Sequence, residues 1–171
     1  MILRGVIRTI DRISELAGQI GKWFAVALVL IGSYETISRH FFNAPTIWAY
    51  DSLCMAGGAL YLIGASYTYL KDSHTRVDLF YSKLSEKGQA IMDVVCALIL
   101  FFPLISVMFM MAVEWFVKAV KVEEVMFNSF WYPPAAPYRM VFALGLLLLL
   151  LQGLAKLIRD VYFIVKGKKI D

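Results

Sequence analysis

Charge is scarce in this sequence. Only 18% of its 171 residues are Asp, Glu, Lys or Arg, where a soluble domain has about a quarter. Cysteine and histidine are scarcer, at two residues each. Cys54 and Cys96 lie far apart in apolar runs and form no CxxC pair. That excludes a disulfide scaffold and a thiol-redox motif, and reads as two buried packing thiols. His40 and His74 each stand at the end of an apolar run. A haem inside a helical bundle needs facing histidines, and a zinc site needs more ligands at close spacing. No glycine-rich phosphate loop and no nucleophile triad is present, so the chain has no visible constellation for enzyme chemistry. The net charge of +4 (17 Lys and Arg minus 13 Asp and Glu) forms no basic patch for nucleic acid.

What the sequence has instead is apolar length. Hydrophobic residues make up 60% of the chain and mean hydropathy is +0.69. The pattern predicts an all-α membrane protein, a single membrane domain over residues 1–171. Residues 2–20 have helical periodicity, with Leu3, Val6, Ile7, Ile10, Ile13, Ala17 and Ile20 on one face. Arg4, Arg8, Asp11, Arg12, Glu15 and Gln19 fall on the other. Such a helix is too polar to span and is expected to lie flat on the membrane surface or against a partner. Its spread charges and the lack of a small-residue cleavage site argue against a cleavable signal.

Four spans follow, each near the roughly 20 residues that a 30 Å hydrocarbon core needs. They are expected at about 23–42, 46–70, 89–117 (with the helix extending to about 125) and 138–165. Pro45 ends the first helix in the turn Asn43–Thr46. Gly57, Gly58, Gly64, Ala65 and Ser66 offer the second span surfaces that another helix can approach closely. Pro103 is expected to kink the third. The stretch from Asn128 to Pro137 is expected to be a loop, because three prolines oppose helix and Phe130, Trp131 and Tyr132 suit an interface belt. Gln152 is the one strongly polar residue of the fourth span before Lys156, and Lys156 and Arg159 are expected to snorkel to the inner surface.

Orientation follows from Lys and Arg in the connections. Arg4, Arg8, Arg12 and Lys22 precede the first span, Lys71, Arg76, Lys83 and Lys87 fill the middle loop, and Lys156, Arg159, Lys166, Lys168 and Lys169 end the chain. The other two connections hold Arg39, Lys118, Lys121 and Arg139. The excess places both termini and the middle loop in the cytoplasm.

Charges within spans are costly and need a partner or a function. Glu35 and Arg39 have (i, i+4) spacing, and Asp51 lies just across the short turn. The economical reading is a Glu35–Arg39–Asp51 cluster that fixes the first hairpin or meets a neighbouring subunit. The rival reading makes Glu35 the carrier of a self-sufficient proton-coupled transporter. An arginine held one turn away suits a brace better than a group that must exchange its proton. Glu114 and Lys118 have the same spacing near the outer surface. A membrane redox subunit is a further rival.

Three motifs occur in order on this topology. They are Arg39-His-Phe-Phe-Asn-Ala-Pro45-Thr-Ile-Trp48-Ala-Tyr-Asp51, then His74-Thr-Arg76-Val-Asp78, then Trp131-Tyr-Pro133-Pro134 leading to the run LLLLLQG. Together they resemble the small membrane subunit (DctQ-like) of tripartite ATP-independent periplasmic (TRAP) transporters. Asp51 departs from the glutamate of many relatives and keeps the charge.

The resemblance implies a non-catalytic subunit in the bacterial inner membrane. It would brace the static scaffold of a large elevator-type subunit and work with a periplasmic substrate-binding protein. Uptake of an organic acid would be driven by sodium, bound on the large subunit and not on this chain, which would hold no cofactor. Pro45 would set the turn, Trp48 would anchor at the outer interface, and His74, Arg76 and Asp78 would organise the middle loop. The stretch with Trp131, Pro133 and Pro134 would either anchor at the interface or touch the docked binding protein. Membrane lipids are the remaining expected partner.

Overall fold

The computed structural model describes residues 2–71, 85–126 and 130–167; His74, Arg76 and Asp78 lie outside them. Four helices account for most of the described chain: α1 (Ile2–Phe41), α2 (Ala49–Leu70), α3 (Glu86–Lys121) and α4 (Ala135–Lys166). Each is long and apolar enough to cross a bilayer. Among the described residues the one β-bridge joins Val125 to Pro134.

The helices form a bundle in which α1, α2 and α4 touch one another and α3 packs on α4. Neighbours run in the order α1, α2, α4, α3, and α1 also touches α4. Helix α4 is the hub and the most buried of the four. The core where α3 meets α4 is built on Ala112, Ala143 and Leu146, with Leu62, Ile105, Phe109 and Phe142 packed around them. Chain direction puts the start of α1 and the end of α4 at one end of the bundle, here the terminal end. The turns between α1 and α2 and between α3 and α4 lie at the distal end.

The N-terminal segment differs from the expected surface helix. Residues 2–41 form one helix of 40 residues, about 60 Å long at 1.5 Å per residue. No proline interrupts it, and Gly18 is a seat for α2. A Cβ on Gly18 would lie 2.5 Å from the Tyr67 ring. The buried stripe is Ile7, Ser14, Ala17 and Gly21. Of the apolar face expected there, Ile7 and Ala17 are buried within the chain and Val6, Ile13 and Ile20 are exposed on it.

Helix α3 holds Pro103, and its distortion sits one turn upstream. Residues Ala97–Phe101 form a π-turn between the α-helical segments Glu86–Cys96 and Phe102–Lys121. Phe102 N–H bonds to the carbonyl of Ala97, five residues back. A proline ring crowds the preceding turn and cannot donate to it, and one extra residue per turn relieves both problems. The helix stops at Lys121, short of residue 125: Glu123 has φ 47° and Glu124 N–H turns back to the Ala119 carbonyl. Helix α4 starts at Ala135, earlier than expected. Pro137 fits its first turn, where a backbone N–H has no helical partner.

Both cysteines are exposed on this chain, which corrects their reading as packing thiols. The close approaches match the expectation in part: a Cβ on Gly58 would lie 3.2 Å from the Tyr138 hydroxyl, and Ser66 is fully buried. Gly64 has open space and Gly57 only ordinary contact, whereas a Cβ on Gly145 would lie 2.7 Å from Leu62 Cβ and 3.2 Å from its backbone, and one on Gly153 would lie 2.4 Å from Phe101.

These distances set a graded test. Gly145→Ala should destabilise by about 1–3 kcal/mol, the range for overpacking against atoms that cannot swing away. Gly64→Ala should cost nothing measurable or stabilise slightly through helix propensity. Thermal unfolding of the two variants in detergent micelles gives the comparison.

Candidate functional site

The distal turn between α1 and α2 is closed by side chains of α1. Helix α1 ends at Phe41, and Asn43 takes a left-handed φ of 50°. Ser38 Oγ donates to the Ala44 carbonyl at 2.7 Å, and Ala44 N–H returns to the Ser38 carbonyl at 3.1 Å. Glu35 is the centre of the arrangement. Its Oε1 accepts from Arg39 at 2.6 Å and 3.2 Å. Its Oε2 accepts from Thr46 N–H at 3.2 Å and from the Thr46 hydroxyl. One carboxylate therefore ties the last turns of α1 to the entry of α2.

Asp51 stands half-buried in the first turn of α2, where a negative charge suits the helix dipole. The residue that shares Glu35 with Arg39 is Thr46, which sequence spacing alone did not single out. Pro45 is exposed at the apex. Trp48 lies half-buried just before α2 and stacks on Tyr34, with ring centroids 5.8 Å apart. His40 is exposed in the last turn of α1.

The second distal connection has a tighter clamp, invisible in the local sequence. Arg139, in the first turns of α4, donates to both oxygens of Glu124 at 2.7 Å and 2.6 Å. It also donates to the Trp115 carbonyl at 3.1 Å, and its guanidinium lies 5.9 Å from the centre of the Trp115 ring. Backbone bonds Met126 N–H to Pro133 O and Ala135 N–H to Glu124 O close the base of the loop. Pro133 is buried there and Pro134 precedes α4 in extended conformation. This pinned base leaves Phe130, Trp131 and Tyr132 exposed.

A third cluster lies between α1 and α4. Ser14 Oγ donates to Gln152 Oε1 at 2.8 Å, and Gln152 Nε2 donates to Asp11 Oδ1 at 3.2 Å. Arg159 pairs with the other Asp11 oxygen. Ser14 and Gln152 are fully buried. Arg159 is thus engaged by α1 instead of reaching freely to the surface, and Lys156 lies over the Tyr69 ring at 5.6 Å. The spacing of Glu114 and Lys118 does not produce an ion pair, and both side chains are exposed.

The three clusters share one chemistry, charge-assisted or buried hydrogen bonds that tie a helix to a connection or to another helix. Among the described residues no three His, Cys, Asp or Glu side chains converge as metal ligands would. Glu124 with Arg139, and Asp11 and Ser14 with Gln152 and Arg159, could not be paired from spacing. They are 15 to 148 residues apart, and only the packing of α4 joins them.

Two outcomes follow from this geometry. Glu124→Ala should speed amide hydrogen exchange in the described loop residues around 122–126 by about tenfold, the loss expected for one strong charge-assisted bond. Arg139→Lys should behave the same way, because an ammonium cannot make the two-pronged contact. In the inner cluster Gln152→Ala should destabilise more than Ser14→Ala. Deleting the amide breaks both the Ser14 and the Asp11 bonds, whereas deleting the hydroxyl breaks one, worth about 0.6 kcal/mol in a membrane. Unfolding midpoints of the single and double variants check the order.

No individual curated protein matches the chain at a significant level. A family model described as "Tripartite ATP-independent periplasmic transporters, DctQ component" matches residues 28–162, from the middle of α1 nearly to the end of α4. With four apolar helices folded over that span and the match covering most of the sequence, the chain belongs to the DctQ family, the small membrane component of TRAP transporters.

Proposed function

We propose that this chain is the non-catalytic brace of a sodium-driven importer of an organic acid in the bacterial inner membrane. It adds lipid-embedded bulk to the static scaffold of a large elevator-type subunit. That subunit carries the sodium and substrate sites, and a periplasmic binding protein delivers the substrate. Both termini face the cytoplasm, in keeping with the Lys and Arg excess at the terminal end. The distal loop around Trp131 then faces the periplasm, where it contributes to docking the binding protein.

The observation that carries this reading is the apolar outside of the bundle: many large apolar side chains are exposed on it, while charged residues are paired within the chain at Glu35, Glu124 and Asp11. A brace needs this division: a rigid interior and an adhesive outside. Glu35 supports it against the carrier reading, since both carboxylate oxygens are engaged by Arg39 and Thr46. A shuttling proton carrier would have to break that lock in every cycle.

Co-expression with the neighbouring genes and purification through a tag on this chain test the reading. A stoichiometric, much larger polytopic partner is the expected result, and Glu35→Gln should retain substrate uptake by the reconstituted complex. Recovery of this chain alone as a dimer that transports in liposomes, and fails to with Glu35→Gln, would overturn it.

A further inference from the structure

Counted along the sequence, Lys22 precedes the first span; packed in the bundle, it stands at hydrocarbon depth. Asp51 and Lys71 bracket the uncharged part of α2, 20 residues apart. At 1.5 Å per residue that is about 30 Å, the thickness of one hydrocarbon core. Gly21, next to Lys22 in α1, lies against Ile63: a Cβ there would be 4.0 Å from the Ile63 side chain. Lys22 therefore sits about 12 Å in from the level of Lys71 and about 18 Å from that of Asp51. Helix α4 agrees, because Leu62 meets Gly145, close to the middle of the uncharged run 140–155. Lys22 is exposed on the chain. Among the described residues it has no ion pair and no hydrogen bond, unlike Arg39, Lys71, Arg139 and Arg159.

Its surroundings form one seam between α1 and α2. Glu15 lies seven residues before Lys22 on the same face of α1, and Gly64 lies seven before Lys71 on the same face of α2. Glu15 and Lys71 meet at 4.0 Å, so Lys22 and Gly64 flank the same side two turns deeper. A Cβ on Gly64 would find nothing within 4 Å. Tyr61 is exposed one turn away, midway between Asp51 and Lys71, and its hydroxyl has no partner among the described residues. We propose that this seam receives a transmembrane helix of the large subunit, which brings an Asp or Glu carboxylate to Lys22 and Tyr61 at mid-membrane. The inference rests on the bracing role and names the chemistry of its contact. A lone charge at this depth is costly. Ammonium and phenol both donate hydrogen bonds, and one carboxylate accepts both. Acyl chains offer no acceptor. A second copy related by a two-fold axis would set Lys22 against Lys22, like charge on like. The bare backbone at Gly64 lets the partner helix approach closely.

The test uses the complex obtained by co-expression with the neighbouring genes and purified in mild detergent. Lys22→Met should speed loss of the partner about thirtyfold, because it leaves a buried carboxylate unpaired; Lys22→Arg should keep the partner bound. Tyr61→Phe should speed the loss about threefold. Gly64→Leu should displace the partner while the isolated chain keeps its helicity and thermal midpoint, since the added side chain meets open space. Dicyclohexylcarbodiimide enters membranes and condenses a carboxylate with an adjacent amine to an amide. In the complex it should join Lys22 to an Asp or Glu of a membrane-spanning peptide, identified by mass spectrometry. Cys54, seven residues before Tyr61 on the same face, is exposed on the chain and should be protected from maleimide in the complex. A complex that survives Lys22→Met and Gly64→Leu unchanged, with Cys54 still reactive, would overturn the proposal and leave the bracing role on another face. Recovery of this chain without a larger partner would overturn both. A dimer of this chain that Gly64→Leu dissolves would also overturn the proposal and assign the seam to a second copy.

Discussion

Helix α4 has to accept neighbours on several sides, and the smallness of two of its residues is what lets them come close. Inside a bilayer, helices gain nothing from leaving water, because lipid chains are as apolar as leucine. Association then rests on van der Waals fit and on interhelical hydrogen bonds. Gly145 lets the backbone of α2 reach α4 at Leu62, and Gly153 receives Phe101 from the π-turn of α3. Between these two seats Gln152 points to α1 and meets Ser14 and Asp11. Little more than two turns of α4, from Gly145 to Gly153, therefore locate all three other helices.

The same environment explains where the polar residues are. A buried polar group without a partner is expensive in a low-dielectric interior, and every fully buried side-chain polar atom described here has one. The pairs fall where the chain changes direction or where two helices run past each other. Glu35 with Arg39 and Thr46 closes one distal turn, Glu124 with Arg139 closes the other, and Asp11 with Arg159 holds the long N-terminal half of α1 against α4. Their value lies less in net energy than in excluding alternative registers. A slip of one helical turn would strand a charge in hydrocarbon.

With Asp11, Glu35 and Glu124 paired internally, the bundle has apolar flanks on which large residues such as Trp23, Phe41, Leu98 and Met110 are exposed. A large exposed apolar area on a protein marks a lipid or protein interface. The DctQ family is a component of a tripartite assembly, and in the proposed bracing role this surface would meet the membrane partner. The π-turn shows how a local backbone accommodation at Pro103 reshapes such a surface, by carrying Phe101 inwards and opening a groove beside it.

The number of apolar helices, their approximate limits and the paucity of reactive groups were legible in the sequence, because hydrophobic length and proline placement act locally. So was the pairing of Glu35 with Arg39, which are neighbours on one helix face. The family resemblance was legible too, carried by the order of short motifs on that helix pattern. The continuity of α1, the exposure of Cys54 and Cys96, the seats at Gly18, Gly145 and Gly153, and the contacts of Arg139, Gln152 and Arg159 were not. Periodicity tells which residues share a face of one helix but not which helix covers that face. That choice is made by the packing of distant segments, and in this protein α4 makes it.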